Sequence, residues 1–376
     1  MNAFSSNLPE KIRRALPKIV KELHSQVTVS SMGLYGSWSR GDAVPTSDLD
    51  VLVVDRSDQE MEYVERTEID GISVDYNHIP RKWLVEALPP FLDQKLFETN
   101  VFFDSDWSLT VAKNWIQKLY RKKGRIEIRT NNLLLDSETY LSRISSALAR
   151  KDYESASLFI PCSVEPLAKI LMEIIGLPFS NSRLLKNFRL ATEMMKKPSL
   201  FTSFLRLSNI QKCDREDARI ALGLLGKGHD ALSKEVSANE DLLKNVHRFA
   251  RASVQYHSNP RFMSGVAARV GGMIDSGETE EALLYCRRLL TSFFEDHGTL
   301  VSAKEGTKID YSVLTRQLKG VGEEANTMYD IAQESFSLKA IDHSMVRENV
   351  QFARDMIRSL RREKNILIEK SQSTGP

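Results

Sequence analysis

Hydrophobic and polar positions change their spacing near residue 110 of this 376-residue chain. Before that point, three short runs rich in apolar and β-branched residues predict strands. These runs cover residues 28–35, 49–54 and 72–79. The middle run is apolar at successive positions, which is typical of a strand in a sheet that is covered on both faces. The first hundred residues therefore predict a small unit of strands and helices.

Turn and cap signals complete this N-terminal pattern. Residues 8–26 place apolar side chains on one helical face, and Ser6 or Asn7 can cap that helix. The pair Asp70 and Gly71 is a hairpin signal directly before the third predicted strand. The pattern thus favours a sheet in which at least one pair of strands is antiparallel.

Helical spacing dominates beyond residue 110, where apolar residues recur three and four positions apart. The clearest stretches are residues 141–148, 167–174 and 283–293. We therefore expect an α+β chain. An N-terminal α/β domain with a mixed sheet of three to five strands would be followed by a large, mostly α-helical region.

Breaks in the pattern predict how the chain is divided. A basic connector spans residues 118–129, and glycines suggest helix breaks near 223–240 and 298–308. We therefore expect a catalytic domain followed by a helical bundle domain and a second helical domain. Their expected boundaries are residues 1–115, 126–235 and 236–376.

A heptad-like apolar stripe runs from Val346 to Leu367. Lys364 occupies one position of the stripe, which disfavours a long dry seam between two chains. Packing within its own helical domain is the favoured interpretation, and a homodimer seam is the alternative.

Composition and charge exclude several classes of protein. Lysine and arginine number 52 against 50 acidic residues, so a non-specific nucleic-acid coat is not expected. The three cysteines lie far apart and form no pair motif, which favours reduced thiols. The N-terminus has no apolar signal core, and no run of about 18 apolar residues occurs. We therefore expect a cytoplasmic protein that does not associate with membranes.

One segment carries the residues best suited to chemistry. Gly36 and Ser37 follow the first predicted strand and open a turn, where backbone N–H groups and a hydroxyl can hold phosphate oxygens. Because glycine has no side chain, the backbone at Gly36 can approach such a ligand closely. The turn is therefore a candidate phosphate cradle.

Carboxylates follow this turn on the second predicted strand. Asp48 and Asp50 occupy positions i and i+2, which share one face of a strand. Neighbouring carboxylates repel each other unless a cation lies between them, and oxygen ligands favour Mg²⁺. Asp75 joins them if the third predicted strand pairs beside residues 49–54. The pattern then predicts a metal-assisted phosphoryl- or nucleotidyl-transfer site.

The whole motif resembles the nucleotidyltransferase superfamily that includes DNA polymerase beta. Within it, the pattern is closest to the kanamycin and streptomycin (aminoglycoside) nucleotidyltransferases and to the minimal nucleotidyltransferases. The resemblance covers roughly residues 30–80, and its motif consists of Gly36, Ser37, Arg40, Gly41, Asp42, Ser47, Asp48 and Asp50.

The resemblance implies a nucleotide-holding role for part of the motif. Gly36 would shape the turn, and Ser37 would bind the triphosphate. Ser47 matches a position that contacts the nucleotide or metal-bound phosphate. Arg40 belongs to the same nucleotide-binding segment, and together with Asp42 it matches positions that mainly tie the loop down.

The resemblance also implies the roles of the carboxylates. Asp48 and Asp50 would hold two Mg²⁺ ions. Asp75 would be the third carboxylate, acting as a metal ligand or as the base for the attacking hydroxyl. Trp38 stands where the family often has a small or charged residue, which would alter the rim of the pocket.

Glu165 and Lys169, at positions i and i+4 of a predicted helix, carry a second resemblance. Kanamycin nucleotidyltransferase has a comparable E-x-x-x-K in its helical domain, where the glutamate is the general base and the lysine contacts the nucleotide phosphates. The same spacing is typical of a solvated ion pair worth only ~0.2–0.5 kcal/mol. We take Glu165 as a candidate base and Lys169 as a candidate nucleotide ligand, with the ion pair as the favoured alternative.

Three other patterns favour structural over functional interpretations. Basic residues between Arg121 and Arg129 could steer an anionic substrate, but a solvated linker is favoured. Arg251 and His257 have the R-x5-H spacing of helical ribonucleases that accompany minimal nucleotidyltransferases, a spacing that chance also produces. His78 falls on the strand face opposite the carboxylates, so we expect it to be packed.

These patterns predict a Mg²⁺-dependent nucleotidyltransferase that moves a nucleoside monophosphate from ATP, or from another NTP, to a hydroxyl group. The site would lie in a cleft between the sheet and the first helical domain. A small-molecule acceptor is slightly favoured and implies an acidic pocket, with Glu154 or Glu173 as candidates. The alternatives are an RNA or tRNA acceptor, a protein acceptor as in antitoxin-like adenylyltransferases, and a non-catalytic nucleotide-binding regulatory protein.

Overall fold

A five-stranded sheet forms the N-terminal part of the chain in the computed structural model, and helices form the rest. The structure describes residues 8–57, 59–319 and 323–373. The chain divides into two compact units, residues 1–125 and 126–376. The expected fold class, a mixed sheet with helices followed by a large helical region, is confirmed. The three-domain division stays a prediction.

The first unit alternates helices and strands. Its sheet has the order β3-β4-β2-β1-β5, in which β2 and β4 are parallel and the other pairs are antiparallel. The elements in chain order are α1 (Glu10–His24), β1 (Val29–Tyr35), α2 (Gly36–Arg40), β2 (Leu49–Asp55), β3 (Tyr63–Ile69), β4 (Ile72–Pro80), α3 (Arg81–Val85), a 3₁₀ turn (Pro90–Leu92), α4 (Asp93–Glu98), β5 (Asn100–Asp104) and α5 (Ser108–Leu119).

Strand β2 sends its side chains into two separate cores. Leu49, Val51 and Val53 pack with the apolar face of α1. Leu52 and Val54 pack on the other side, with apolar residues of α4 and α5. The sheet is therefore covered on both faces, as the apolar run predicts.

The hairpin predicted at Asp70 and Gly71 joins β3 to β4. Both residues have positive φ, 54° and 70°, as a two-residue turn of this kind requires. Strands β3 and β5 were not predicted, because charged residues interrupt the apolar pattern of β3 and the apolar run of β5 is only three residues long. The helix expected at 8–26 is α1, and its proposed caps Ser6 and Asn7 lie outside the described residues.

The described residues of the second unit form helices joined by loops, with no strand among them. A single apolar core runs through it from Ile126 to Ile368. The helices are α6 (Lys123–Ala149, which begins in the first unit), α7 (Tyr153–Ile175), α8 (Leu184–Met194), α9 (Pro198–Leu207), α10 (Arg215–Ala238), α11 (Arg248–His257), α12 (Pro260–Asp275), α13 (Thr279–Lys304), α14 (Leu314–Leu318), α15 (Glu323–Ser335) and α16 (His343–Ser373), with 3₁₀ turns at Glu240–Asn245, Tyr311–Val313 and Leu338–Ala340.

Local signals explain several helix ends in this unit. The carboxylate of Asp152 accepts the N–H of Ser155 and caps α7, which ends at Gly176 with φ 81°. Asp214 and Asp217 form a reciprocal capping box at the start of α10. Such caps satisfy backbone N–H groups that have no partner within the helix.

The helix break predicted near 223–240 falls at the far end of that range, because α10 continues past Gly223, Gly226 and Gly228 and ends at Ala238. A Cβ at Gly228 would lie 3.3 Å from the side chains of Leu290 and Phe293 in α13. Glycine therefore serves close packing between these helices there. The second break falls within its predicted range of 298–308, since α13 ends at Lys304. Gly298 itself is helical, and a Cβ there would lie 2.9 Å from Leu314 Cδ1.

The apolar stripe of α16 is buried within its own unit, where α16 packs against α7. Even Lys364 is buried, and its ammonium donates to Asn131 Oδ1 at 2.8 Å. The stripe therefore packs inside the chain, but against a helix that lies outside the expected domain 236–376. A homodimer stays a prediction. The cysteines are free, and no helix within the described ranges is both long and apolar enough to cross a membrane.

Candidate functional site

Gly36 joins the end of β1 to α2 in a left-handed conformation, with φ +76°. A Cβ built at this position would collide with Asp50 Oδ2. Both observations call for glycine, because other residues rarely adopt this φ and the Asp50 carboxylate fills the space. The turn therefore places the backbone at Gly36 against one of the predicted metal ligands.

Arg40 is held inside the loop by two carboxylates. Its Nη1 lies 2.6 Å from Glu98 Oε2, and its Nη2 lies 3.2 Å from Asp42 Oδ1. Glu98, which the motif does not contain, also accepts the N–H of Gly36. Burial raises the pKa of Glu98, although the charge of Arg40 opposes that rise. These contacts suit the loop-tying role, and nucleotide binding by Arg40 stays a prediction.

The two serines of the motif lie in the same loop and make different contacts. The carbonyl of Ser37 accepts the N–H of Asp42 at 3.0 Å. Ser47 Oγ accepts the N–H of Val44 at 2.9 Å, and its carbonyl accepts Trp38 Nε1 at 3.3 Å. Contacts of either serine with a phosphate stay predictions.

The three predicted carboxylates of the sheet lie on neighbouring strands. Asp50 in β2 is paired directly with Asp75 in the parallel strand β4, and Asp48 immediately precedes β2. The strand pairing on which the role of Asp75 depended is therefore confirmed. The side chains of Asp48 and Asp75 are only 4% and 9% exposed, whereas Asp50 is half-buried.

Arg66 in β3 lies opposite Asp75 and bridges two of these carboxylates. Its Nε and Nη2 lie 2.6 Å and 2.5 Å from Asp75 Oδ1 and Oδ2. The same Nη2 lies 3.0 Å from Asp48 Oδ2. The Arg66 side chain is 3% exposed, so the three side chains are buried together. A guanidinium thus lies where the sequence predicts a cation between carboxylates.

The donor set of this acidic cluster, Asp48, Asp50 and Asp75, is suited to Mg²⁺, since carboxylate oxygens are its preferred protein ligands. The arrangement of the donors differs from that of a metal site. Within the part of the chain that the structure describes, no three His, Cys, Asp or Glu side chains are arranged to hold a metal ion. The chemistry of the donors therefore fits the metal, and their geometry is that of a carboxylate pair holding a guanidinium.

Two basic residues beside the cluster are not part of the motif. Arg66 leaves a signal in the sequence, because a two-residue turn at 70–71 sets the register of its strands and places Arg66 opposite Asp75. Lys95 Nζ lies 3.3 Å from Asn77 Oδ1, two residues beyond Asp75 on β4. No sequence pattern predicts this contact, because only folding brings α4 to the sheet.

Glu165 and Lys169 lie on α7 in the helical unit, with 2.7 Å between Oε1 and Nζ. Arg288 of α13, which no pattern indicated, approaches the same carboxylate at 3.2 Å and donates to Asn181 Oδ1. Burial raises the pKa of Glu165, but the charges of Arg288 and Lys169 outweigh burial and lower that pKa to about 2. So acidic a carboxylate is a weak base. The contacts therefore favour the ion pair, in which the carboxylate is buried and the ammonium is partly exposed.

Other charged candidates of the helical unit also make structural contacts. Arg129 Nε lies 2.8 Å from Glu173 Oε1 in a buried pair, so this end of the basic run is not a solvated linker. Glu154 accepts hydrogen bonds from Tyr329 and Gln333, both at 3.0 Å. An acidic pocket built on Glu154 or Glu173 therefore has no support from these contacts.

The histidine candidates have structural surroundings as well. His257 Nδ1 lies 2.6 Å from Asp296 Oδ2 inside the helical core, and Arg251 donates to two backbone carbonyls. His78 is buried and stacks on the Tyr63 ring at 4.5 Å between centroids, as expected for a packed side chain.

Comparison with known proteins identifies the first unit. Residues 13–105, about a quarter of the chain, match the family model of the nucleotidyltransferase domain. No curated protein matches this sequence. Among solved structures, a nucleotidyltransferase-like protein from Exiguobacterium sibiricum is 14% identical to this chain, with a TM-score of 0.32. The match covers 51% of this chain and 66% of that protein, so this chain spans just under two thirds of its length. The matched residues include the Gly36 turn and the acidic cluster, and the N-terminal region of this chain belongs to the nucleotidyltransferase superfamily, whose members transfer nucleoside monophosphates.

Proposed function

We propose that this chain transfers a nucleoside monophosphate, with ATP as the favoured donor, to a hydroxyl of a small-molecule acceptor in a Mg²⁺-dependent reaction. One observation carries the proposal: Asp50 is paired with Asp75 and lies against the Gly36 turn, inside a nucleotidyltransferase domain. A nucleotide-holding turn and a set of carboxylates are the two parts that such a transfer requires.

The chain's own residues have distinct parts in this proposal. The Gly36 turn and Ser37 hold the phosphates. Asp50, half-buried against Gly36, faces the nucleotide, and Asp48 and Asp75 complete the oxygen donors. Bound Mg²⁺ would neutralise the charge that develops on the phosphoryl oxygens.

The base for the acceptor hydroxyl is assigned by excluding Glu165 and by the position of Asp75 beside Asp50. Glu165 has a pKa of about 2 and holds a proton poorly near neutral pH. Asp75 is therefore the proposed base or orienting group within the sheet unit. It acts by accepting the hydroxyl proton on a carboxylate oxygen.

A second candidate function is nucleotide binding without transfer. The bridge from Arg66 to Asp48 and Asp75 favours it, because that bridge satisfies two of the three carboxylates without a metal. A regulatory protein could keep the nucleotide-holding turn and use the carboxylates only for stability.

A transfer assay separates these functions. The chain is incubated with Mg²⁺ and labelled ATP, GTP, CTP or UTP, against hydroxylated small molecules that include aminoglycosides, then RNA, then protein. We expect label from ATP to enter the small-molecule pool, and Asp50→Asn to abolish this transfer. Label that enters RNA or protein would replace the proposed acceptor class. Bound nucleotide without transfer into any pool would replace the proposed function with the second candidate.

A further inference from the structure

Arg66 shares one nitrogen between two carboxylates of the acidic cluster. Its Nη2 contacts both Asp75 Oδ2 and Asp48 Oδ2, at 2.5 Å and 3.0 Å. The three side chains are each less than a tenth exposed, so water screens this contact little. Two negative charges thus share the single positive charge of Arg66.

These contacts conflict with metal binding for a steric reason. Mg²⁺ binds carboxylate oxygens at about 2.0–2.1 Å, so an ion shared by the Oδ2 atoms of Asp48 and Asp75 would overlap the volume that Nη2 occupies. The positive charges would also repel each other across a few ångströms of poorly screened protein. The guanidinium and a metal shared by these oxygens therefore exclude each other.

We propose that Arg66 is the resident counter-ion of Asp48 and Asp75 and competes with the divalent metal for them. This deepens the proposed function, and it rests on that function for the identity of the metal site. Arg66 must leave the carboxylates before they bind a metal, so it weakens metal binding in the absence of nucleotide. The metal requirement of the site is then set by a residue that the motif does not contain.

Substitution of Arg66 shows whether its guanidinium competes with the metal for the carboxylates or holds the carboxylates in place for the metal. Arg66→Gln removes the charge and should lower the dissociation constant for Mn²⁺ at least tenfold. Arg66→Lys keeps the charge but loses the two-nitrogen fork, so we expect a smaller decrease in the same direction. A residue that merely positions the carboxylates would give the opposite sign, with weaker Mn²⁺ binding in both variants.

Arg125 provides a matched control. It holds Asp93 with the same fork, Nε to Oδ2 at 2.6 Å and Nη2 to Oδ1 at 2.5 Å, and its side chain is 10% exposed. Arg125→Gln thus breaks a buried pair of the same kind in the same unit. We expect it to leave Mn²⁺ affinity unchanged.

The experiment is a Mn²⁺ titration of the full chain without nucleotide, with free Mn²⁺ measured by electron paramagnetic resonance. Circular dichroism first confirms that each variant is folded. Tighter binding in Arg66→Gln and unchanged binding in Arg125→Gln support the proposal. Equal or weaker binding in Arg66→Gln overturns it.

A second measurement decides the matter if Arg66→Gln does not fold. In the wild-type chain, the Nε–H signal of Arg66 is identified by its loss in Arg66→Lys and followed during a Mg²⁺ titration. We expect the signal to shift and to lose its protection from exchange as the metal binds, and an unmoved signal at saturation contradicts the proposal. Neither measurement uses catalysis, so failure of nucleotidyl transfer in the separate assay would not be mistaken for failure of this inference.

Discussion

The two units each contain buried carboxylates that the sequence marks as catalytic, but the ratio of carboxylates to contacting cations differs between them. In the sheet unit, Asp48 and Asp75 share one cation, Arg66. In the helical unit, Glu165 alone is contacted by two cations. Counted over these contacts, the first group carries a net negative charge and the second a net positive charge. The first suits a divalent cation and the second suits an anion.

This difference shows how neighbouring charge decides what a carboxylate can do. Glu165 is held so acidic by Lys169 and Arg288 that it neither accepts a proton readily nor needs a metal. Asp48 and Asp75 are bridged by Arg66, a singly charged group that a more highly charged ion could replace. The motif spacing of Glu165 and Lys169 predicts their contact correctly, but it does not reveal the third partner that changes the chemistry.

The largest expected effect tests this difference through activity. Asp50→Asn should lower nucleotidyl transfer about a thousandfold, which corresponds to ~4 kcal/mol of lost transition-state stabilisation. Glu165→Gln should lower it less than about tenfold, because an ion-pair partner contributes only through the local structure. Both rates are measured with the acceptor found in the transfer assay. A loss in Glu165→Gln as large as that in Asp50→Asn would restore Glu165 as the base.

The next largest effect concerns stability. Asp75→Asn removes the charge of one of the two carboxylates that contact the buried Arg66 and should lower the free energy of unfolding by about 3 kcal/mol. Lys169→Met should lower it by less than about 1 kcal/mol, because the Lys169 side chain is 29% exposed and Arg288 still pairs with Glu165. Urea denaturation followed by circular dichroism measures both. Equal losses would mean that the two clusters contribute alike to stability.

Much of the sheet unit could be predicted from local signals. The nearly continuous apolar run in residues 49–54 predicts a doubly covered strand, and Asp70 with Gly71 predicts the hairpin that fixes β4. Asp50 and Asp75 come together because these strands are neighbours. The missed strand β3 contains Arg66, so the missing strand and the missing counter-ion have the same cause. A strand with charged residues on one face has a weak apolar pattern.

The helical unit was harder to predict because its contacts are distant in sequence. Arg288 reaches Glu165 across 123 positions, and no local spacing encodes such a contact. The role of Gly228 could not be predicted for a related reason. A glycine that breaks a helix and a glycine that lets another helix approach look the same until the partner helix is known.

Another buried carboxylate of the helical unit, Glu281, should make the stability of the protein depend on pH, with an effect of intermediate size. Glu281 accepts the backbone N–H groups of Leu185 and Lys186 at the start of α8. Burial raises the pKa of Glu281 to about 7, although those N–H groups oppose the rise. The folded protein therefore keeps this proton to higher pH than the unfolded chain does, and stability should fall as pH rises from about 4.5 to 7.

The measurement is the difference in unfolding free energy between the wild type and Glu281→Gln at several pH values. Between pH 4.5 and 7, the unfolding free energy of the wild type should fall by about 2 kcal/mol relative to that of Glu281→Gln. Glu280→Gln removes the same formal charge one residue away and serves as the control. A difference that does not vary with pH would show that Glu281 is already ionised at the lower end of the range.

The smallest expected effects concern two glycines of α10, Gly226 and Gly228. Unlike Gly36, whose conformation and contact with Asp50 exclude any side chain, both have room in principle for an alanine. Nothing lies within 4 Å of a Cβ built at Gly226, and the residue has an ordinary helical position. Gly226→Ala should therefore stabilise the helical unit by about 0.5–1 kcal/mol, because alanine loses less conformational freedom in a helix.

Gly228→Ala gains the same helix propensity, but its Cβ would press on the side chains of Leu290 and Phe293 at 3.3 Å. We expect a net loss of about 1 kcal/mol there, since overpacking in a tight core typically costs 1–3 kcal/mol. Thermal unfolding of the two variants measures this contrast, and two equal shifts would mean that α10 and α13 can separate enough to admit a methyl group.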